Sequence, residues 1–142
     1  MALGWVAVSV LGSVWLIPPA IAQAATNAAA ILSQLPRPTG SPKAVQSMFA
    51  ANAYQQQSIN FQSKPQKPAA VLAFYRQALS QKGYRERTIN TVSGNWGFNL
   101  VLDLPSSLQL AAKAPEKTVV LVVQGTALGP DTLNVNARFE EI

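Results

Sequence analysis

The sequence predicts an α+β domain in which one amphipathic helix packs on a four- to five-stranded, mainly antiparallel sheet. Apolar residues recur at intervals of three and four between residues 67 and 82, which is typical of a helix with one buried side. After residue 84 the apolar period changes to two, and short turn sequences separate the later strands. We expect this domain to span residues 45–142, after a signal segment at 1–24 and a Pro-rich linker at 25–44.

The N-terminal segment has the features of an export signal. The first charged side chain of the 142-residue chain is Arg37, and residues 5–17 form an apolar run that two prolines follow. Ala22 and Ala24 then supply the small side chains that a signal peptidase accepts, which predicts cleavage after Ala24. The segment lacks the Lys or Arg that normally precedes such a run, so an uncleaved membrane anchor is the alternative.

The linker prediction comes from its proline and glycine residues. Pro36, Pro38, Gly40 and Pro42 fall within seven residues, and alternating prolines favour extended backbone over helix. Residues 28–35 could form one or two helical turns before them. We expect the linker to hold the domain away from the membrane or to lie in solvent.

Residues 67–82 are the best-defined element. Leu72, Tyr75 and Leu79 share one side of the helix, Pro68 suits its first turn, and Gly83 stands where a left-handed C-terminal cap belongs.

The strand predictions come from the alternation of polar and apolar residues. Polar and apolar residues alternate in two of the later segments, which predicts strands with one wet face, while residues 118–124 are apolar on both faces and should form a central strand. The wet face should carry Asn99, Asp103, Asn134, Asn136 and Arg138. The expected strands cover residues 45–49, 58–63, 84–92, 96–104, 118–124 and 132–139.

Composition excludes several chemistries. The chain has no Cys and no His, which excludes disulfides, thiol nucleophiles, His-based triads and zinc sites of Cys and His. Residues 125–129 are Gly-rich but lack the lysine of a phosphate-binding loop. We therefore expect no catalytic residues, no metal and no cofactor.

Charge is unevenly distributed. From Arg37 to Thr88 eight cations face Glu86 alone, whereas the remainder is mildly acidic. Lys82, Arg85 and Arg87 are the candidate partner-binding residues, because the two arginines share one strand face and Lys82 precedes the turn. The expected partner is an envelope or lumen protein with an acidic face, or an anionic membrane surface, and not nucleic acid. A solvated basic surface without a partner is the alternative.

The residues Phe74-Tyr75-Arg76-Gln77-Ala78-Leu79, followed by Gly83-Tyr84, form the pattern F-Y-x-x-x-L-x-x-x-G-[YW]. With strands after it, this pattern resembles small exported α+β domains of phototrophic and other envelope-bearing bacteria, a group of mostly uncharacterised function. The resemblance covers residues 58–140, implies a periplasmic or thylakoid-lumen location and brings no catalytic residues.

These observations predict a non-enzymatic exported protein, a protein-binding or assembly accessory domain of the cell envelope or thylakoid lumen. The oligomeric state is open. If the signal segment is retained, the protein is membrane-anchored. The alternative is a small-ligand or lipid carrier that uses the helix–sheet interface, with Phe61, Trp96 and Phe98 lining its cavity.

Overall fold

The computed structural model describes residues 28–41, 46–47, 58–63, 67–108, 110–130 and 132–142, without the side chains of residues 46–47 and 58–61. The predicted signal segment, including Ala22 and Ala24, lies outside the described residues. Among the described residues, no helix is long and apolar enough to cross a membrane.

The described elements are two helices and seven strands, and every strand pair is antiparallel. They follow in the order α1 (residues 28–33), β1 (Gln46–Ser47), β2 (Ser58–Ser63), α2 (Pro68–Gln81), β3 (Arg85–Glu86), β4 (Val92–Gly94), β5 (Gly97–Asp103), β6 (Val119–Ala127) and β7 (Leu133–Glu141). The sheet order is β1-β2-β7-β6-β5-β3, with β4 also paired to β5.

The α+β class and the antiparallel sheet are confirmed, but the sheet is larger than the four to five strands expected. It is six strands wide, because β3 and β4 occupy the same position beside β5. The segment 84–92 was expected to be one strand; a turn at residues 88–90 divides it into two short ones.

Helix α2 ends as its sequence predicts. Gly83 has φ of 89°, and its N–H donates to the carbonyl of Ser80, while the N–H of Tyr84 donates to the carbonyl of Leu79. These two bonds are a Schellman motif, which satisfies carbonyls that the helix end would leave unpaired. Tyr84 then packs in the same buried cluster as Leu79, so the motif also sets where β3 begins.

One face of the sheet, here called the helix face, forms the main core with α2. The helix contributes Val71, Leu72, Tyr75 and Leu79, all buried. Burial raises the pKa of the Tyr75 hydroxyl above its usual range, and the positive charge of Arg37 opposes this rise. The sheet contributes Phe98, Leu100, Leu102, Leu121, Val123, Leu133, Val135, Ala137 and Phe139.

Helix α1 belongs to this core. The side chain of Leu32 is only 2% exposed, and Ala28, Ile31 and Leu35 pack around it. Sequence reasoning expected a helical turn or two here but placed the segment in a linker in solvent. The Pro-rich pattern did not reveal that the four apolar residues before it have the spacing of a buried helix side.

The opposite face, here called the polar face, is less wet than expected. Val101, Val120 and Val122 form a second buried cluster on it. Arg138 is the cross-strand neighbour of Val122, and an arginine stem covers apolar surface while its head group stays hydrated or paired. The five polar residues expected on this face are all half-buried.

We predict that Leu32→Ala lowers the free energy of unfolding by about 2–5 kcal/mol, the cost of truncating a buried leucine. Urea unfolding followed by circular dichroism measures it. Gln34→Ala, at an exposed position of the same segment, is the matched control and should change stability by less than about 0.5 kcal/mol. Equal effects of the two substitutions would contradict the placement of α1 in the core.

Gly125 leaves room for the ring of Phe98 on the helix face. A Cβ at residue 125 would overlap Cε1 of Phe98. We predict that Gly125→Ala costs about 1–3 kcal/mol through overpacking, and that the cost falls when Phe98 is replaced by Leu. A double-mutant cycle in urea measures the coupling; the same cost in both backgrounds would refute this contact as the cause.

Candidate partner-binding site

The structure brings Arg85 and Arg87 together on one carboxylate. Strand β3 pairs with β5 so that Arg85 lies opposite Asp103, and the N–H of Arg87 continues the pairing by donating to the carbonyl of Val101 at 2.8 Å. Residues two apart point to the same face of a strand. Nη2 of Arg85 lies 3.3 Å from Oδ2 of Asp103, and Nε of Arg87 lies 2.6 Å from Oδ1.

Two cations therefore share one anion, and the cluster retains an excess positive charge. The side chain of Arg85 is 84% exposed, whereas those of Arg87 and Asp103 are largely covered. The hydrogen bond from Arg87 holds the pKa of Asp103 below its usual range; burial acts in the opposite direction, and the hydrogen bond from Arg85 adds to the lowering. We call Arg85, Arg87 and Asp103 the basic edge, because β3 ends the sheet on this side.

The third candidate, Lys82, is placed differently. It is the C-cap residue of α2, and α2 packs on the helix face, whereas the basic edge lies on the polar face. The sequence spacing placed Lys82 close to Arg85 along the chain but did not show that the helix cap and the strand serve opposite faces.

A second ion pair links the helix to the same strand. Arg76 binds Glu86 through two hydrogen bonds, Nε to Oε2 at 3.0 Å and Nη2 to Oε1 at 2.9 Å. Glu86 points toward the helix side, since it alternates with Arg85. The one acidic residue of the basic half of the sequence is thus paired with Arg76 and is not shared with the basic edge.

Sequence reasoning missed the apolar residues that lie along this border of the sheet. Ile89 is 91% exposed in the turn between β3 and β4, and Val92 and Trp96 are also exposed. An isoleucine inside a polar turn, Arg87-Thr88-Ile89-Asn90, is the signal that could have identified this feature. Together with Arg85 these residues give a border of arginine and large apolar side chains.

At the centre of the polar face, Arg138 is hydrogen-bonded to neighbouring side chains of the sheet. The guanidinium of Arg138 donates to Glu140 Oε1 at 2.6 Å, to Asn136 Oδ1 at 2.9 Å and to Gln124 Oε1 at 3.1 Å. Three acceptor oxygens arranged around one planar guanidinium fix its position. A partner would have to displace these bonds, so the basic edge is the better candidate surface.

An open groove adjoins the basic edge. It has a volume of about 300 Å³ and lies where the segment between β5 and β6 folds over the ends of those strands. Its lining includes Asp103, Leu104, Leu108, Leu110, Lys117 and Val119. Asp103 is therefore shared between the groove and the basic edge.

The residues expected to line a cavity at the helix–sheet interface differ in their burial. Phe98 is fully buried in the core, whereas Trp96 is 48% exposed beyond the start of β5. The side chain of Phe61 is not among those described. The groove beside Asp103 lies at the other end of β5 from Trp96.

Three of the four described strand carboxylates are engaged with arginines: Glu86 with Arg76, Asp103 with the basic edge, and Glu140 with Arg138. The fourth, Glu141, accepts a hydrogen bond from the backbone N–H of Lys113. No group of three or more metal-ligating side chains occurs in the part of the chain that the structure describes. What this surface offers chemically is charge and apolar area.

Comparisons with known proteins add no relative. A scan against protein families, a search of curated proteins and a search of solved structures found no match to this chain.

We predict that Asp103 contributes stability above the ordinary carboxylate pKa of about 3.9 and that this contribution is lost as pH falls through its lowered pKa in the folded protein. Asp103→Asn should therefore be less stable than the wild type at pH 7, by about 1 kcal/mol or less, with the difference shrinking toward pH 2.5. Urea unfolding between pH 7 and 2.5 tests this.

Arg87→Gln should reduce the pH dependence in the same way, because it removes the principal hydrogen bond to Asp103. Wild-type and Asp103→Asn curves that stay parallel over the whole pH range would show that the cluster does not act as described.

Proposed function

We propose that the chain is an exported, non-enzymatic accessory domain that binds an acidic protein partner of the cell envelope or thylakoid lumen through the basic edge. One observation carries this proposal: two arginines share a single carboxylate, and Arg85 presents an 84% exposed guanidinium with incomplete charge compensation. Such a group can form a charge-assisted, bidentate hydrogen bond with a carboxylate of a partner.

The surroundings of Arg85 favour a protein as the partner. Arginine and large apolar or aromatic side chains are enriched in protein interfaces and carry much of their binding energy. Ile89, in the turn that follows β3, is 91% exposed on the same border of the sheet. A headgroup layer would be attracted by the cations, but it would not require a defined apolar pattern beside them.

The shared carboxylate also prepares Arg85 for binding. Asp103 holds the two guanidinium groups in place before a partner arrives, which lowers the entropy lost on association. Arg85 is the more exposed of the two, so its outward N–H groups can bind a partner carboxylate while Asp103 still holds both arginines.

The non-enzymatic part of the proposal is supported by the absence of His and Cys from the sequence and by the pairing of three strand carboxylates with arginines. The export part is supported by the apolar run at residues 5–17 and the small residues Ala22 and Ala24.

We predict that replacing Arg85 and Arg87 by Ser weakens binding to the native partner by about ten- to a hundredfold, as expected when two interface arginines are lost. The partner is first identified by mass spectrometry of material captured on the tagged full-length chain and is then purified for titration. Binding of the wild type should weaken steeply as salt rises.

The matched control combines Lys82→Ser with Arg76→Ser, which removes the same two charges on the helix side of the sheet, and the two single variants accompany it. They should leave the affinity within about twofold. If all these variants lose affinity equally, net charge and not the basic edge governs binding. If the double variant loses binding to anionic phospholipid vesicles but keeps its protein partner, the partner class is wrong.

A further inference from the structure

The groove beside Asp103 is built from side chains that the core holds in place. Leu104, Leu108, Leu110 and Val119 line it, and each also packs against the main buried cluster. Its apolar walls are therefore preformed, so an incoming apolar group would bind without first ordering them.

The groove adjoins a cluster that has an excess of cations. Asp103 forms part of the wall, but Arg85 and Arg87 already bind its two oxygens. Lys117, which is exposed, also lines the groove. The groove and the adjoining basic edge thus carry three cations and one carboxylate, and leucine and valine side chains line the open groove. This combination is the complement of an apolar group carrying an adjacent negative charge.

Size and shape decide between two kinds of occupant. Sites for free small molecules usually enclose most of the ligand, and volumes of about 300 Å³ are the lower limit for them. This groove has about that volume and opens to solvent along its length. It suits one large side chain that enters from a neighbouring chain while the rest of that chain stays outside, as the anchor residues of protein interfaces do.

We propose that the groove is the anchor pocket for the acidic partner, and that the contacting segment of that partner carries a large apolar side chain next to a carboxylate. The side chain occupies the groove between Leu104, Leu108 and Leu110, and the carboxylate binds Arg85 or Lys117. This inference rests on the proposed function, since it places the partner on the basic edge.

The segment that forms the outer wall of the groove has a side-chain tether to the sheet. The N–H of Lys113 donates to Oε1 of Glu141 in β7 at 2.6 Å. The neighbouring turns are closed locally, by Leu108 N–H to Pro105 carbonyl and by Lys117 N–H to Ala114 carbonyl. The groove wall is thus fixed at its middle by Glu141.

The test uses two synthetic peptides, acetyl-Asp-Asp-Phe-Asp-Asp-amide and the same peptide with Ala in place of Phe. They are titrated into the ¹⁵N-labelled full-length chain and followed by two-dimensional NMR. The Phe peptide should bind at least about tenfold more tightly than the Ala peptide, which is the lower end of the gain expected from burying a Phe side chain. Its shifts should map to residues 104–119.

Ala112 lines the groove at a half-buried position, so a larger side chain there fills the space. Ala112→Phe should abolish the advantage of the Phe peptide and leave the affinity of the Ala peptide unchanged. If that variant does not fold, Ala112→Leu tests the same point with a smaller insertion. Arg85→Ser and Lys117→Gln should weaken both peptides alike, by about two- to fivefold each.

The outcomes separate this inference from the proposed function. Equal binding of the two peptides, with Arg85→Ser still weakening both, would overturn the anchor pocket and leave the basic edge as the binding surface. Binding that does not depend on Arg85 would overturn the proposed function itself. Decanoate that binds the same residues more tightly than the Phe peptide would show that the groove takes a free amphipathic anion, which also overturns the anchor.

Discussion

The burial of β6 on both faces is the constraint from which the rest of the structure follows. Leu121 and Val123 enter the core under α2, while Val120 and Val122 point to the polar face and are also buried. A strand that is apolar on both faces must lie inside the sheet and be covered on each side. The nine-residue strand β6 therefore requires a paired strand on each side, which are β5 and β7, and a covering layer on each face of the sheet.

The two faces are covered in different ways. On the helix face, α2 supplies a continuous apolar stripe, and α1 completes it with Leu32. On the polar face, among the described residues, charged side chains form networks around the valines, centred on Arg138 in β7 and on Asp103 in β5. Each network pairs arginines with a carboxylate, which lowers the desolvation cost of holding charge against an apolar cluster.

The two networks differ in their charge balance. Around Arg138 one cation is matched by Glu140 and two amide oxygens. Around Asp103 two cations compete for one carboxylate, and one of them is exposed. A balanced network on the interior of the sheet stabilises, whereas an unbalanced one at its border is available to another molecule.

Sequence periodicity predicted most of the fold. The helix and the strands β5 and β7 follow from local spacing, because apolar residues recur in each with a regular period. What it could not supply were contacts between distant segments. The spacing of Arg85 and Arg87 predicted a shared face but not that Asp103, sixteen residues further on from Arg87, would bind both.

The same limit applies to the rest of the site. Lys82 lies three residues before Arg85 in the sequence, but it caps the helix on the other face of the sheet. The groove forms only when the segment after β5 folds back over the strand ends, so no local pattern marks it. Sequence reasoning did not place α1 in the core, because four apolar residues at helical spacing are too few to distinguish a short buried helix from a linker.

If the N-terminal segment is retained in a membrane, the position of α1 in the core limits how far the folded domain can be from that membrane. Three residues separate Ala24 from Ala28, and three extended residues span about 10 Å. A retained N-terminal segment would then keep the start of α1 within about 10 Å of the membrane-embedded part, and only a limited set of orientations would bring the basic edge to another protein. A cleaved segment would remove that restriction, so a single proteolytic event would change the rotational freedom of the domain without altering its fold.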